Sequence, residues 1–192
     1  MQPVDDILSF WFGPPSDPDH TAPRGRWFEH DEGFDAECSR RFLALHERAA
    51  HGELDAWKDE TASALALVLL LDQFPRNLFR GASRAYATDT QAREVARHAL
   101  ARGLDVPLPP AWRWFFYLPF EHSESLPDQR LAVSLFESLS LSHAPSAHAL
   151  EHALRHRDVI EHFGRFPQRN AALGRASTPE EATFLQEPGS SF

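Results

Sequence analysis

"LLLDQFPRNLFRG" (residues 69–81) decides how this chain of 192 residues folds. It closes an apolar run, residues 62–71 with Ser63 the one polar interruption, and passes through a proline straight to arginine and asparagine. The run covers about half of the roughly 20 residues needed to span a bilayer, so it reads as a buried core helix and not as a membrane segment. A residue that precedes proline avoids helical backbone angles. The helix is therefore expected to begin near Asp59 or Thr61 and to stop at about Phe74. Arg76 and Asn77 would then stand just past a helix end, where the last four carbonyls lack partners and the helix dipole is negative. The same grammar returns at "HFGRFPQRN" (residues 162–170) and, altered, at "FFYLPFEHSE" (residues 115–124).

Valine, isoleucine and threonine together number only 14, while alanine and leucine fill every long stretch. That balance favours helices over strands, and the expected class is all-α. Punctuation places the helices. Residues 4–12 end at Gly13; residues 31–50 carry Phe34, Cys38, Phe42, Leu45 and Ala49 at helical spacing, with Gly52 just beyond. Thr88 and Gln91 form a capping-box pattern for a helix closed by Gly103. "DVPLPP" (residues 105–110) breaks the pattern, Ser125 with Asp128 opens another helix, residues 145–163 form a long one, and Thr178-Pro179-Glu180-Glu181 starts the last. About eight helices with short links imply antiparallel pairs in one domain. No fixed period of 34 or so residues recurs, so an irregular stack of helix pairs fits better than a strict repeat array.

The formal charge of −9 and the lack of any basic run argue against nucleic acid as a partner. Lys58 is the only lysine, so single arginines carry little weight as anion sites by themselves. Cys38 is the only cysteine, which rules out an intrachain disulfide and suits a reducing cytoplasm. The acidic start, Met1-Gln2-Pro3-Val4-Asp5-Asp6, is wrong for a signal or transit peptide. No GxSxG elbow, Walker loop, GxGxxG, HExxH or EF-hand loop occurs. Trp11, Phe12, Trp27, Phe28, Trp112, Trp114, Phe115 and Phe116 are expected as core filler between helices.

Several long motifs run nearly end to end: "ILSFWFG" (7–13), "RWF" (26–28), "LDQFPRNLFRG" (71–81), "YATD" (86–89), "FFYLPFEHSE" (115–124), "FGRFPQRN" (163–170) and "LGR" (173–175). In them the chain resembles the bacterial proteins grouped as domain of unknown function 924. The resemblance implies an all-α, tetratricopeptide-like stack and the positions of a site, but no reaction. Gln168 stands where the resemblance leads one to expect histidine.

Two readings of the three motif ends follow. In the first they are staples, with arginine and asparagine bonding the carbonyls of the preceding helix. In the second they meet in one pocket. Asp72, Gln73, Arg76 and Asn77 come from the first end, Glu121, His122 and Glu124 from the second, and His156, Arg165, Arg169 and Asn170 from the third. Arginine forks would hold a small charged ligand while a carboxylate and an imidazole exchange protons. The pocket then serves either a binding protein for a peptide or small anion, or a hydrolase or lyase with Glu121 or His122 as proton carrier and His156 as its orienter. No metal or cofactor is assigned. His148, His152 and His156 share a helical face, but His156 lies on the apolar stripe, and the adjacent Glu121 and His122 point about 100° apart on a helix. The sequence does not fix an oligomeric state.

Overall fold

The apolar run at residues 62–71 does not end at its proline. In the computed structural model, which describes residues 3–190, it continues through a π turn and resumes as a helix. Met1 and Gln2, which open the acidic N-terminus, lie outside the described residues. In chain order the helices are α1 (Pro3–Phe12), α2 (Glu32–Ala50), α3 (Thr61–Val68), α4 (Phe74–Leu78), α5 (Asp89–Ala101), α6 (Pro110–Glu121), α7 (Leu126–Ser140), α8 (Ser146–Phe163) and α9 (Pro179–Phe184). The π turn Leu69–Gln73 joins α3 and α4 into one rod, so the described residues form eight helical rods and no strand. The chain is all-α.

The helix survives Pro75 because distant side chains take over what proline removes. Proline lacks an N–H and its ring clashes with the carbonyl four residues earlier, here that of Leu71. The π turn widens the backbone at this point, with Phe74 N–H donating to the Leu69 carbonyl, five residues back. The Leu71 carbonyl accepts from Thr88 Oγ1 at 2.6 Å, and the Leu70 carbonyl accepts from His46 Nδ1 at 2.8 Å. The expected stop at Phe74 is thus corrected: the proline ends ordinary α geometry, not the rod. The Thr88–Gln91 capping box also does not form, since Thr88 is committed to Leu71 and Gln91 Nε2 donates to the Ala50 carbonyl. Thr88→Val keeps the shape and removes the donor. It is expected to cost about 1 to 3 kcal/mol, the usual penalty for an orphaned buried carbonyl. Urea unfolding reads this directly, and an unchanged midpoint would mean that the π turn does not depend on Thr88.

The other punctuation holds where its partners are local. Gly52 and Gly164 lie just past α2 and α8 with φ of 77° and 69°, angles that a side chain rarely adopts. Thr178 accepts from Glu181 N–H, and the Glu181 carboxylate accepts from Thr178 N–H at 2.7 Å, completing the capping box of α9.

Helices α7 and α8, linked by residues 141–145, form the most extensive pair; α6 packs on α7, α5 on α6, α3 on α5, and α2 on α4. The short links at residues 122–125 and 141–145 make α6–α7 and α7–α8 helical hairpins. The core is largely aromatic: Trp11, Phe12, Phe42, Phe74, Phe115, Phe116, Phe120 and Phe136 are fully buried. Each such ring stabilises the fold by roughly 1.5–3 kcal/mol relative to exposure. Phe28 is the exception among the expected core aromatics, being 61% exposed. A smaller cluster of Val159, Ile160 and Phe166 seats the C-terminal segment. Among the described residues, no helix is long and apolar enough to cross a membrane.

Candidate functional site

The π turn places Asp72 and Gln73 inside the protein instead of on its surface. Asp72 is fully buried, yet it is surrounded by donors. Its carboxylate accepts from Gln73 Nε2 at 2.6 Å and faces His122 Nδ1 at 2.9 and 3.0 Å, with Arg76 Nη1 3.4 Å away. Burial alone would raise the Asp72 pKa; Arg76, His122 and these hydrogen bonds outweigh it and hold the carboxyl well below the usual carboxylate range. An ionised carboxylate only accepts, so His122 must carry its proton on Nδ1. His122 lines the pocket, and Nε2 is the ring nitrogen that Asp72 leaves unengaged. Burial and Arg76 lower the His122 pKa further than Asp72 raises it, so the ring is neutral at pH 7.

Arg76 is the hub of the first motif. It donates to both oxygens of Asp89 at 3.1 and 3.3 Å and also to the Asp72 carbonyl, so part of the staple reading holds for this residue. Asp89 is shared with Arg169, whose Nη1 lies 3.5 Å away. The Arg169 guanidinium sits 4.7 Å from the Tyr86 ring centroid and 4.5 Å from that of Phe166. Burial lowers its pKa to about 10, which still leaves it charged at neutral pH.

Behind this layer lies a second acid–imidazole pair. His156 Nδ1 donates to the His152 carbonyl at 2.9 Å and lies 3.2 Å from Glu121 Oε1. Glu121 is buried and its Oε2 has no hydrogen-bond partner. Burial, reinforced by the Asp72 charge, raises its pKa to about 8, while burial lowers that of His156 to about 3. Both are neutral at pH 7.

These groups surround a pocket of about 240 Å³. Its wall carries three guanidinium groups, Arg76, Arg80 and Arg169, against a single carboxylate, Glu29. His122 and His156 line it too, together with the amides of Gln73, Asn77 and Gln168 and the rings of Trp27, Phe28 and Tyr86. The acids that neutralise the arginines, Asp89 and Asp35, stand outside this lining.

The three motif ends therefore meet, but not with every residue that was singled out. Asp72, Gln73, Arg76, Asn77, Glu121, His122, His156 and Arg169 line the pocket or stand directly behind it. Asn77 reaches it from the side, with its amide donating to Asp35 at 2.7 Å. Glu124, Arg165 and Asn170 go elsewhere. Arg165 forks onto Glu181 at 2.6 and 2.8 Å, Asn170 donates to Glu181 and accepts from Arg175, and Glu124 accepts both arms of Arg175 at 2.8 and 2.9 Å. This second network straps the C-terminal segment to the link after α6, and it differs from the staple reading: its arginines and asparagine bond carboxylates and loop carbonyls, not the carbonyls of α8.

Tyr86, Arg80, Trp27 and Phe28 line the pocket, and Asp89 stands behind it on Arg76 and Arg169, without having been assigned there by sequence. The motifs "YATD" and "RWF" hold four of them, but no spacing within those motifs indicates a role. Cys38 is buried in the core, its thiol pushed up to about 12 by burial, which makes it inert packing. Among the described residues, no group of three or more His, Cys, Asp or Glu is placed to hold a metal ion.

Comparison with known proteins agrees with this end-to-end pattern. The profile of the family described as "Bacterial protein of unknown function (DUF924)" matches residues 7–189. The solved structure of a protein of unknown function from Agrobacterium tumefaciens is similar at 44% identity and a TM-score of 0.84, over 96% of this chain and 97% of that one. No curated protein matches.

Proposed function

The chain belongs to the DUF924 family of bacterial proteins of unknown function, and on that premise we propose that its pocket binds a small anionic metabolite and performs acid/base chemistry on it. The observation that carries this reading is the buried Asp72–His122 pair opening onto a wall of three arginines. His122, neutral and fixed in the Nδ1–H form, accepts a proton at Nε2, and Asp72 stabilises the imidazolium that results. Arg76 and Arg169 hold the anion by charge-assisted hydrogen bonds. Glu121 does not serve as the base at neutral pH, because it is already protonated; it supports His156 from behind. The reaction class is hydrolysis or elimination, with His122 taking a proton from water or from the substrate.

The peptide reading is less well supported, since about 240 Å³ lies below the roughly 300–1,000 Å³ of sites for drug-sized ligands. The lone, buried Cys38 suits a reducing compartment, and on that ground we place the protein in the cytoplasm.

Thermal-shift measurements with inorganic phosphate, phosphomonoesters, small carboxylates and short peptides test the proposal. An anion at 100 times its dissociation constant stabilises the fold by about 2.7 kcal/mol. The shift is expected to vanish in Arg169→Ala. In His122→Asn it persists while turnover is lost. Arg175→Ala, a strap residue outside the pocket, should melt about 2 to 6 °C early and still respond to the anion. Stabilisation by peptides alone, or an anion shift that survives Arg76→Ala with Arg169→Ala, would overturn the reading.

A further inference from the structure

The acid/base reading leaves the aromatic rim of the pocket unused. Phe28 is, among the described residues, the one Phe, Tyr or Trp ring left largely in solvent, and it lines the pocket beside Trp27. A lone exposed ring needs no explanation. This one stands nearly perpendicular to Trp27, at 88° and 6.3 Å between centroids, so the two rings form a corner. One wall of the corner is rigid. Trp27 is only 5% exposed, its Nε1 donates to the Trp11 carbonyl at 2.9 Å, and its ring packs edge-on against Phe12 and Phe115. The backbone there is fixed by the turn Gly25–Trp27, with Phe28 N–H donating to the Gly25 carbonyl at 3.0 Å. The opposite chemistry shares the same small volume, in the guanidinium groups of Arg76 and Arg169.

We propose that the ligand is an amphiphilic small anion: a phosphate or carboxylate head held by Arg76 and Arg169, and a flat apolar group, most simply one aromatic ring, seated in the corner of Trp27 and Phe28. The proposal rests on the anion reading above and narrows it to a substrate class. A flat group in that corner stacks on one ring and meets the other edge-on, which are the two favoured arrangements of aromatic pairs. The size of the pocket limits the ligand to roughly one ring beside one head group.

The test is a chemical-shift titration with two matched pairs, inorganic phosphate against phenyl phosphate and acetate against benzoate, on the wild type and on Phe28→Ala. Phe28 is exposed, so the variant is expected to fold. The preferred head group identifies itself by the pair that binds more tightly. Within that pair the aryl anion should bind about tenfold more tightly than its partner, and Phe28→Ala should remove most of that advantage while leaving the simple anion's affinity unchanged. If the simple anions bind and the ring adds nothing, or if the variant weakens both members equally, the corner has no such role and the anion reading stands alone. If no anion binds, both readings fall.

Discussion

Asp72→Asn is expected to lower the unfolding free energy by about 3 kcal/mol or more, the largest loss from any single isosteric change in the site. Asparagine has nearly the same shape, so packing is kept and the loss is electrostatic. It would leave Arg76 with Asp89 as its carboxylate partner and would give Gln73 and His122 one amide oxygen to share in place of two charged carboxylate oxygens. For a chain of this length the drop corresponds to about 6 to 12 °C in melting temperature. The pH dependence gives a second readout. The folded-state pKa of Asp72 is depressed, so its contribution is fully present above the ordinary carboxylate range and is lost as pH falls through the folded value. Wild type and variant should therefore converge in strong acid and separate towards neutral pH. Equal stability at pH 7 would mean that the carboxylate charge does not hold this centre together. A variant that folds, binds the anion and still turns it over would remove the pair from the proposed chemistry.

The parts of this site that could be read from sequence are those whose partners are near in the chain or that sit at marked helix ends. The stripe of Phe34, Cys38, Phe42, Leu45 and Ala49 gives α2, and Gly52 and the Thr178 box act through contacts within a turn. What failed was decided by tertiary partners. Pro75 reads as a stop until His46 and Thr88, from two other parts of the chain, are seen to bond the carbonyls that it disturbs. Arg169 and Asn170 are neighbours in one motif, yet the turn Pro167–Arg169 sends Arg169 to Asp89 and Asn170 to Ser177 and Glu181 on the other side. A motif names a place in the fold, not the direction in which each of its side chains points. Asp89 shows the reverse case: at the first position of α5 it is fully explained as a helix start, and only the fold reveals that it bridges two arginines.

Glu121→Gln is expected to act in the opposite sense and to stabilise the protein at alkaline pH. Burial, with Asp72 nearby, raises the Glu121 pKa from 4.5 to about 8. Between those values the folded protein keeps a proton that the unfolded chain has released, so stability falls as pH rises through the window. The contribution is intact below the unfolded value and gone above the folded one. At about 1.4 kcal/mol per unit, the wild type should lose on the order of 3 to 5 kcal/mol relative to the glutamine variant, which stays neutral throughout. His156, lowered from 6.5 to about 3 by burial, has the reverse slope below pH 6.5. It is common to both proteins, so it cancels in their difference, but it masks the decline of the wild type until pH exceeds 6.5. Urea unfolding at pH 4, 6.5 and 8 separates the cases: the two proteins should be closest at the first pH and stand furthest apart at the last. Parallel stabilities across the range would show that Glu121 ionises with solvent access and does not work as a buried neutral acid. Ligand affinity carries the same signature. Ionised Glu121 adds a negative charge beside His156 and Asp72, so anion binding should weaken above pH 8 in the wild type and hold in Glu121→Gln.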